Sequence, residues 1–154
     1  LGVTFLVTLY SDNRGRKQGR HGDRDVSSHL LNLKAKYSEF VALRGYIGRF
    51  SEAITSGGIS PCYAGKNLIN IDTSGNVSFC IDDRETSTGN ILTDDIEVIQ
   101  QNLARQKRHV TCKGCWTSCR GSIETLMYGK RRVSSFQDYY EMTKDVAIFP
   151  RKDV

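Results

Sequence analysis

Residues 67–80 read NLINIDTSGNVSFC. Leu68, Ile69 and Ile71 form one short apolar run, and Val77 and Phe79 form another. Between them, Asp72-Thr73-Ser74-Gly75-Asn76 supplies turn-forming side chains and a glycine able to take positive φ. Two apolar runs joined by such a turn predict a β-hairpin whose second strand ends at Cys80.

Downstream, Thr93-Asp94-Asp95 opens a helix. Asp94 as cap with Glu97 three positions on makes a capping box, and Ile96, Ile99 and Leu103 form the buried stripe. The acidic start and the basic end, Arg105, Lys107 and Arg108, suit the helix dipole. A last helix is expected with Ser134 or Ser135 as cap and Phe136, Tyr139, Tyr140 and Met142 as its packed side. Upstream, Ser27 or Ser28 caps a helix through Leu30, Leu31, Leu33 and Lys34, interrupted at Tyr37-Ser38. A second helical stretch over residues 44–55 presents Ile47, Phe50 and Ile54, and Gly57-Gly58 ends it.

Residues 1–10, LGVTFLVTLY, suit a strand, and their near-continuous apolarity reads as burial on both faces. Few other strands are available to flank it. With Leu1 in place of Met, this leads to the expectation of further chain upstream. Residues 11–25 carry three glycines in a dense Arg/Lys run and read as a mobile, solvated loop. The loop lacks the Gly-Lys-Ser/Thr ending of a phosphate-binding loop and has no interleaved aromatic, which gives a nucleic-acid platform little support.

The 154 residues carry 22 Lys+Arg against 17 Asp+Glu, a formal charge of +5, with 38% apolar residues and a mean hydropathy of −0.42. That is little core material for the length. No internal repeat or low-complexity tract is present. No stretch approaches the ~18 consecutive apolar residues of a transmembrane helix and no signal peptide opens the chain, so a soluble, cytoplasmic chain without membrane contact is expected.

Five cysteines stand out: Cys62, Cys80, Cys112, Cys115 and Cys119. An odd number cannot pair completely within one chain, and no secretory signal favours disulfides. Cys112-Lys-Gly-Cys115 is a Cys-x2-Cys pair whose two sulfurs can turn to one point. The hairpin brings Cys62 and Cys80 together, so a four-sulfur set of Cys62, Cys80, Cys112 and Cys115 is expected. Four thiolates suit either Zn²⁺ or an iron–sulfur cluster. A standard zinc ribbon carries two Cys-x2-Cys knuckles, whereas here the first pair is split across a hairpin. The fifth cysteine also exceeds what a closed zinc site needs.

Cys62-Tyr63-Ala64-Gly65, Ile69-Asn70-Ile71-Asp72, Gly75-Asn76-Val77-Ser78-Phe79-Cys80, Gly89-Asn90-Ile91 and Cys112-Lys113-Gly114-Cys115 together resemble the SPASM/twitch auxiliary-cluster region of radical SAM enzymes. The family pattern runs Cys, about a dozen residues, Gly, four residues, Cys, then a helix and Cys-x2-Cys. This chain follows it over about 60 of its 154 residues. The resemblance implies one auxiliary [4Fe–4S] cluster on Cys62, Cys80, Cys112 and Cys115. It also implies a preceding barrel that binds S-adenosylmethionine and a [4Fe–4S] cluster of its own.

The chain departs from the seven-cysteine pattern, since only Cys119 follows Cys115; Cys119 either replaces one of the four ligands or lies beside them. Cys112, Cys115 and Cys119 give Cys-x2-Cys-x3-Cys, the reverse of the catalytic Cys-x3-Cys-x2-Cys, and lie after the hairpin. This chain alone is therefore not expected to turn over. The expected layout is α+β. Residues 1–58 form the end of a partial (β/α) barrel with connecting helices. Residues 59–130 form a SPASM/twitch-like domain, with a small β-hairpin and helices around a Cys-ligated cluster. Residues 131–154 form a C-terminal helix and tail.

By the resemblance, the parent enzyme, an oxidoreductase or maturase, generates a 5′-deoxyadenosyl radical that abstracts hydrogen from a peptide, protein or small molecule. The region read here assists by electron transfer or substrate positioning. A flavodoxin or ferredoxin is the expected reductant. Lys66, Lys113 and Arg120 flank the thiolates and offset cluster charge, or are plain surface charge, and Trp116 packs over the site. The competing readings are a zinc-stabilised module contacting nucleic acid through a basic surface, and a cluster kept only as a structural staple.

Overall fold

The hairpin turn is built by one carboxylate. Asp72 Oδ1 accepts the backbone N–H of Ser74 (2.8 Å) and of Asn76 (2.9 Å), and Oδ2 accepts Asn76 Nδ2 (3.0 Å). Gly75 takes φ +84°, a region glycine enters without a Cβ penalty. Strands β1 (Asn70–Ile71) and β2 (Asn76–Ser78) pair antiparallel, with Asn70 opposite Ser78 and Ile71 opposite Val77.

The computed structural model describes residues 5–9, 25–83, 86–106, 115–128 and 132–143. The fold is mixed α+β, with a small antiparallel sheet and several helices. Strand β2 stops at Ser78 rather than at Cys80, because the chain turns there: Asp83 N–H donates to Cys80 O at 3.1 Å. A third strand, β3 (Gly89–Asn90), completes the order β1-β2-β3 and was not expected from the sequence. Asn90 explains it. Its Nδ2 donates to Ser74 O (2.9 Å) and Asn76 Oδ1 (3.1 Å), and its Oδ1 accepts Leu92 N–H (2.8 Å), stitching β3 to the hairpin turn.

Helix α4 (Ile96–Arg105) lies over this sheet, with Ile99 buried and Asn102 Nδ2 donating to Thr88 O at 2.9 Å. Its N-cap is Asp95, not Asp94, because the Asp94 carboxylate is used by β3, accepting Asn90 N–H at 2.8 Å. Ile96 is half exposed rather than buried. Lys107 and Arg108, expected at this helix's end, lie outside the described residues.

The other helices surround one apolar core of Phe40, Leu43, Tyr46, Ile47, Phe50, Ile59 and Trp116. Helix α1 (Val26–Lys36) is capped by Asp25, which accepts Ser28 N–H at 3.1 Å, rather than by Ser27 or Ser28. Ser27 is instead buried and exchanges hydrogen bonds with Ser51, N–H to Oγ in both directions (3.0 and 2.8 Å). Leu30, Leu31 and Leu33 pack on the core as expected.

The stretch expected as one helix over 44–55 is two, α2 (Arg44–Ile47) and α3 (Phe50–Ser56). The break falls where Tyr46 O, which a continuous helix would give to Phe50 N–H, instead accepts Trp116 Nε1 at 2.9 Å. Gly57 closes α3 in the left-handed conformation, as expected.

Helix α5 (Ser118–Tyr128) packs against α2 and α6 (Arg132–Thr143). Helix α6 runs through residues 134 and 135, so neither serine is its cap, and its orientation reverses the expectation. Ser135 and Asp138 are buried, while Phe136, Tyr139 and Tyr140 are exposed. Asp138 turns inward because it accepts Arg44 N–H at 2.6 Å and pairs with the Arg44 guanidinium. The Met142 side chain lies outside what the structure describes.

Residues 5–9 do not form the strand buried on both faces that was expected. Phe5 makes a single parallel bridge to Phe40, whose ring it stacks on at 5.0 Å, and Phe5 and Leu6 are exposed. One neighbour covers one edge only. Of the loop expected over 11–25, residues 11–24 lie outside the described residues, and Asp25 is the cap of α1. Among the described residues no helix is long and apolar enough to cross a membrane.

Candidate metal centre

Arg120 and Glu124 stand four residues apart on α5, the spacing that puts two side chains on one helix face. Arg120 Nε donates to Glu124 Oε1 at 2.8 Å and Nη2 to Oε2 at 3.0 Å. Both side chains are buried. A buried pair is tolerated only when its remaining donors and acceptors are also used. Here they are used on backbone: Nη2 donates to Ile59 O (2.6 Å) and Pro61 O (2.9 Å), Nη1 donates to Cys115 O, and Glu124 Oε1 accepts Tyr63 N–H (2.9 Å). Cys62 is thus held by both of its neighbours, and Cys115 by its own carbonyl, through one ion pair.

The Arg120 charge reaches both sulfurs. Burial works against the guanidinium, but the hydrogen bonds to Glu124 and the charge of that carboxylate outweigh it and raise its pKa above the ordinary value. At Cys115, burial pushes the thiol pKa up, and the nearby Asp82 charge adds to this. Hydrogen bonds to Thr117 and the Arg120 charge pull the other way. Asp82 lies two residues after Cys80, so the turn at Cys80 and the Cys115 segment act on each other electrostatically.

The Cys62 segment reaches the hairpin through a glycine. After Cys62, Asn67 N–H donates to Tyr63 O (2.9 Å) and Gly65 N–H to Leu68 O (2.6 Å), closing a tight turn. Gly65 has φ +81°, and a Cβ there would collide with the Phe79 ring. The absence of a side chain lets Phe79, next to Cys80, lie directly on the turn that follows Cys62. A groove of about 840 Å³ opens beside this turn, with Cys62, Lys66 and Asn67 on one wall and Ile96, Ile99 and Leu103 of α4 on the other.

Cys62, Cys80 and Cys115 are half-buried and Cys119 is exposed. Cys112 and Lys113 lie outside the described residues. Among the described residues no group of three or more His, Cys, Asp or Glu side chains is gathered as a metal site. What is gathered is the backbone that carries Cys62 and Cys115, with a cation beside both. A donor set of thiols, flanked by a positive charge, suits a soft metal bound by thiolates. Cys119 sits in the first turn of α5, and burial is what chiefly raises the pKa of the Tyr46 phenol in the adjoining core.

Of the flanking cations, Lys66 is exposed on the groove, whereas Arg120 is buried and paired rather than a surface charge. Trp116 is buried in the core, with the Arg49 and Arg120 guanidinium groups 5.0 and 5.5 Å from its ring. Sequence reasoning missed Glu124 and the Tyr63 N–H that it accepts. The i, i+4 spacing of Arg120 and Glu124 just after a Cys-x2-Cys was the available signal. No family model, no curated protein and no solved structure matches this chain.

Proposed function

We propose that this chain is the auxiliary-cluster region of a radical SAM enzyme, with one [4Fe–4S] cluster on Cys62, Cys80, Cys112 and Cys115. The observation that carries the reading is the Arg120–Glu124 pair, which fixes the backbone on both sides of Cys62 and at Cys115 and sets a positive charge beside both thiols. When bound, such a cluster supplies one-electron transfer. Arg120 offsets the negative charge of the thiolates and favours the reduced state. Trp116 shields Arg120 from the core side, and the groove at Cys62 leaves one approach open.

In this reading residues 1–58 belong to the partial barrel, and the exposed Phe5 and Leu6 pack against its other strands. The substrate is a peptide, a protein or a small molecule, and electrons come from a cytoplasmic flavodoxin or ferredoxin. Anaerobic reconstitution with iron and sulfide tests it. A brown protein with about four iron per chain is expected. A colourless protein holding one tight zinc overturns it in favour of a zinc-stabilised module.

A further inference from the structure

Helix α5 takes a cap from the far end of the chain. Thr8 Oγ1 accepts the backbone N–H of Ser118, the first residue of α5, at 3.0 Å and across 110 residues of sequence. An N–H in the first turn has no partner inside its own helix, and the side chain just before the helix ordinarily serves that turn. The residue in that place is Thr117, whose N–H and hydroxyl are turned to the Cys115 sulfur instead. Thr8 suits the role. Its own proton goes to Leu9 O (3.4 Å), which leaves the oxygen to accept Ser118 N–H and the Tyr46 hydroxyl (3.4 Å).

Tyr46 extends the link along the same segment. Its carbonyl accepts Trp116 Nε1 at 2.9 Å, and its ring lies so close on α5 that Gly121 has no room for a Cβ. Gly121 N–H in turn closes the first turn of the helix on Thr117 O at 2.7 Å. Arg120, inside that turn, holds Cys115 O. The start of α5 and the Cys115 backbone are therefore one unit, and Thr8 ties it to a segment whose Phe5 and Leu6 are exposed.

We propose that Thr8 is a positioning residue for the Cys115–Cys119 segment: it caps α5 from residues 5–9, so that the placement of Cys115 follows the placement of the segment that carries Phe5 and Leu6. This goes beyond the cluster reading and is a property of the metal-free chain. Whatever packing residues 5–9 receive at Phe5 and Leu6 is transmitted through one hydroxyl to the cysteine segment.

The test is iodoacetamide labelling of the metal-free full chain at one fixed pH, read by peptide mass spectrometry at Cys80 and Cys115, beside amide exchange at Gly121. Thr8→Val keeps the shape and loses the acceptor, at an exposed residue whose change leaves the core intact. Cys115 labelling and Gly121 exchange are each expected to rise about fivefold, the worth of one helix cap, with Cys80 unchanged. Thr8→Ser keeps the wild-type rates. Ser118→Pro removes the donor at the first helical position, where proline is tolerated, and on that background Thr8→Val is expected to change nothing further. An unchanged Cys115 rate in Thr8→Val overturns the proposal, as does an equal rise at Cys80, which would mark general loosening. A Thr8→Ser chain that labels like Thr8→Val, or a further rise from Thr8→Val in the Ser118→Pro chain, overturns it as well.

Discussion

Arg120 and Glu124 form a two-pronged ion pair, 2.8 and 3.0 Å long, that also holds the backbone at Pro61, Tyr63 and Cys115. Cys62 and Cys115 lie far apart in sequence yet depend on one guanidinium for their placement. The backbone on both sides of Cys62 and at Cys115 is thus held by charge and hydrogen bonds within the protein.

Glu124→Gln leaves the Arg120 charge buried without its partner. Removing one member of a buried pair costs about 3–5 kcal/mol. Glu52→Gln breaks an Arg49–Glu52 pair whose side chains are 42% and 50% exposed, and it should cost less than about 1 kcal/mol. Urea denaturation of the two variants measures the difference, and equal losses would contradict the role assigned to the buried pair.

Gly65→Ala places a Cβ where φ is +81° and where the Phe79 ring lies. The backbone strain alone is about 1–3 kcal/mol. The turn must also move away from the strand that leads to Cys80. Both the melting temperature and metal uptake are expected to fall, and wild-type uptake in this variant would show that the Gly65–Phe79 contact does not set the cysteine spacing.

Asp72 gives the hairpin an acid dependence. The Asn76 side chain, then the backbone N–H groups of Asn76, Ser74 and Gly75, hold its carboxyl below the ordinary value of 3.8. A folded-state pKa below the unfolded one means the contribution is complete above the unfolded value and is lost as pH falls through the folded value. Asp72→Asn should be less stable than the wild type at neutral pH, with the gap closing as pH drops from about 5 toward 2. A gap that widens on acidification would reverse the assigned sign. Asp25 is depressed in the same direction, so the difference between wild type and variant is the informative quantity.

Thiol reactivity in the metal-free chain should follow burial. Cys119 is exposed, whereas Cys115 is half-buried and its thiol is pushed above the ordinary 9.0, mainly by burial. Because the thiolate is the reactive form, Cys119 should be alkylated first at neutral pH and Cys115 should follow only as pH rises. Peptide mass spectrometry after timed iodoacetamide treatment reads the order. Equal rates at neutral pH would mean the Cys115 segment is open to solvent.

The hairpin was legible because its turn is local: Asp72, Gly75 and Asn76 need only one another. The core stripe of Ile47 and Phe50 was legible from spacing. The orientation of α6 was not, because Asp138 turns inward for Arg44, 94 residues away in sequence. The break between α2 and α3 depends in the same way on the Trp116 indole reaching Tyr46 O. At the candidate site the cysteine spacing was visible. The burial of Arg120, which joins two of those cysteines, was set by carbonyls at Ile59 and Pro61 that no local pattern marks.

Iron per chain, measured side by side in the reconstituted wild type, Cys80→Ala and Cys119→Ala, tests the ligand set most directly. The account predicts about four iron in the wild type and in Cys119→Ala, with loss of the cluster in Cys80→Ala. Wild-type iron in Cys80→Ala, or its loss in Cys119→Ala, would contradict a cluster held by Cys62, Cys80, Cys112 and Cys115.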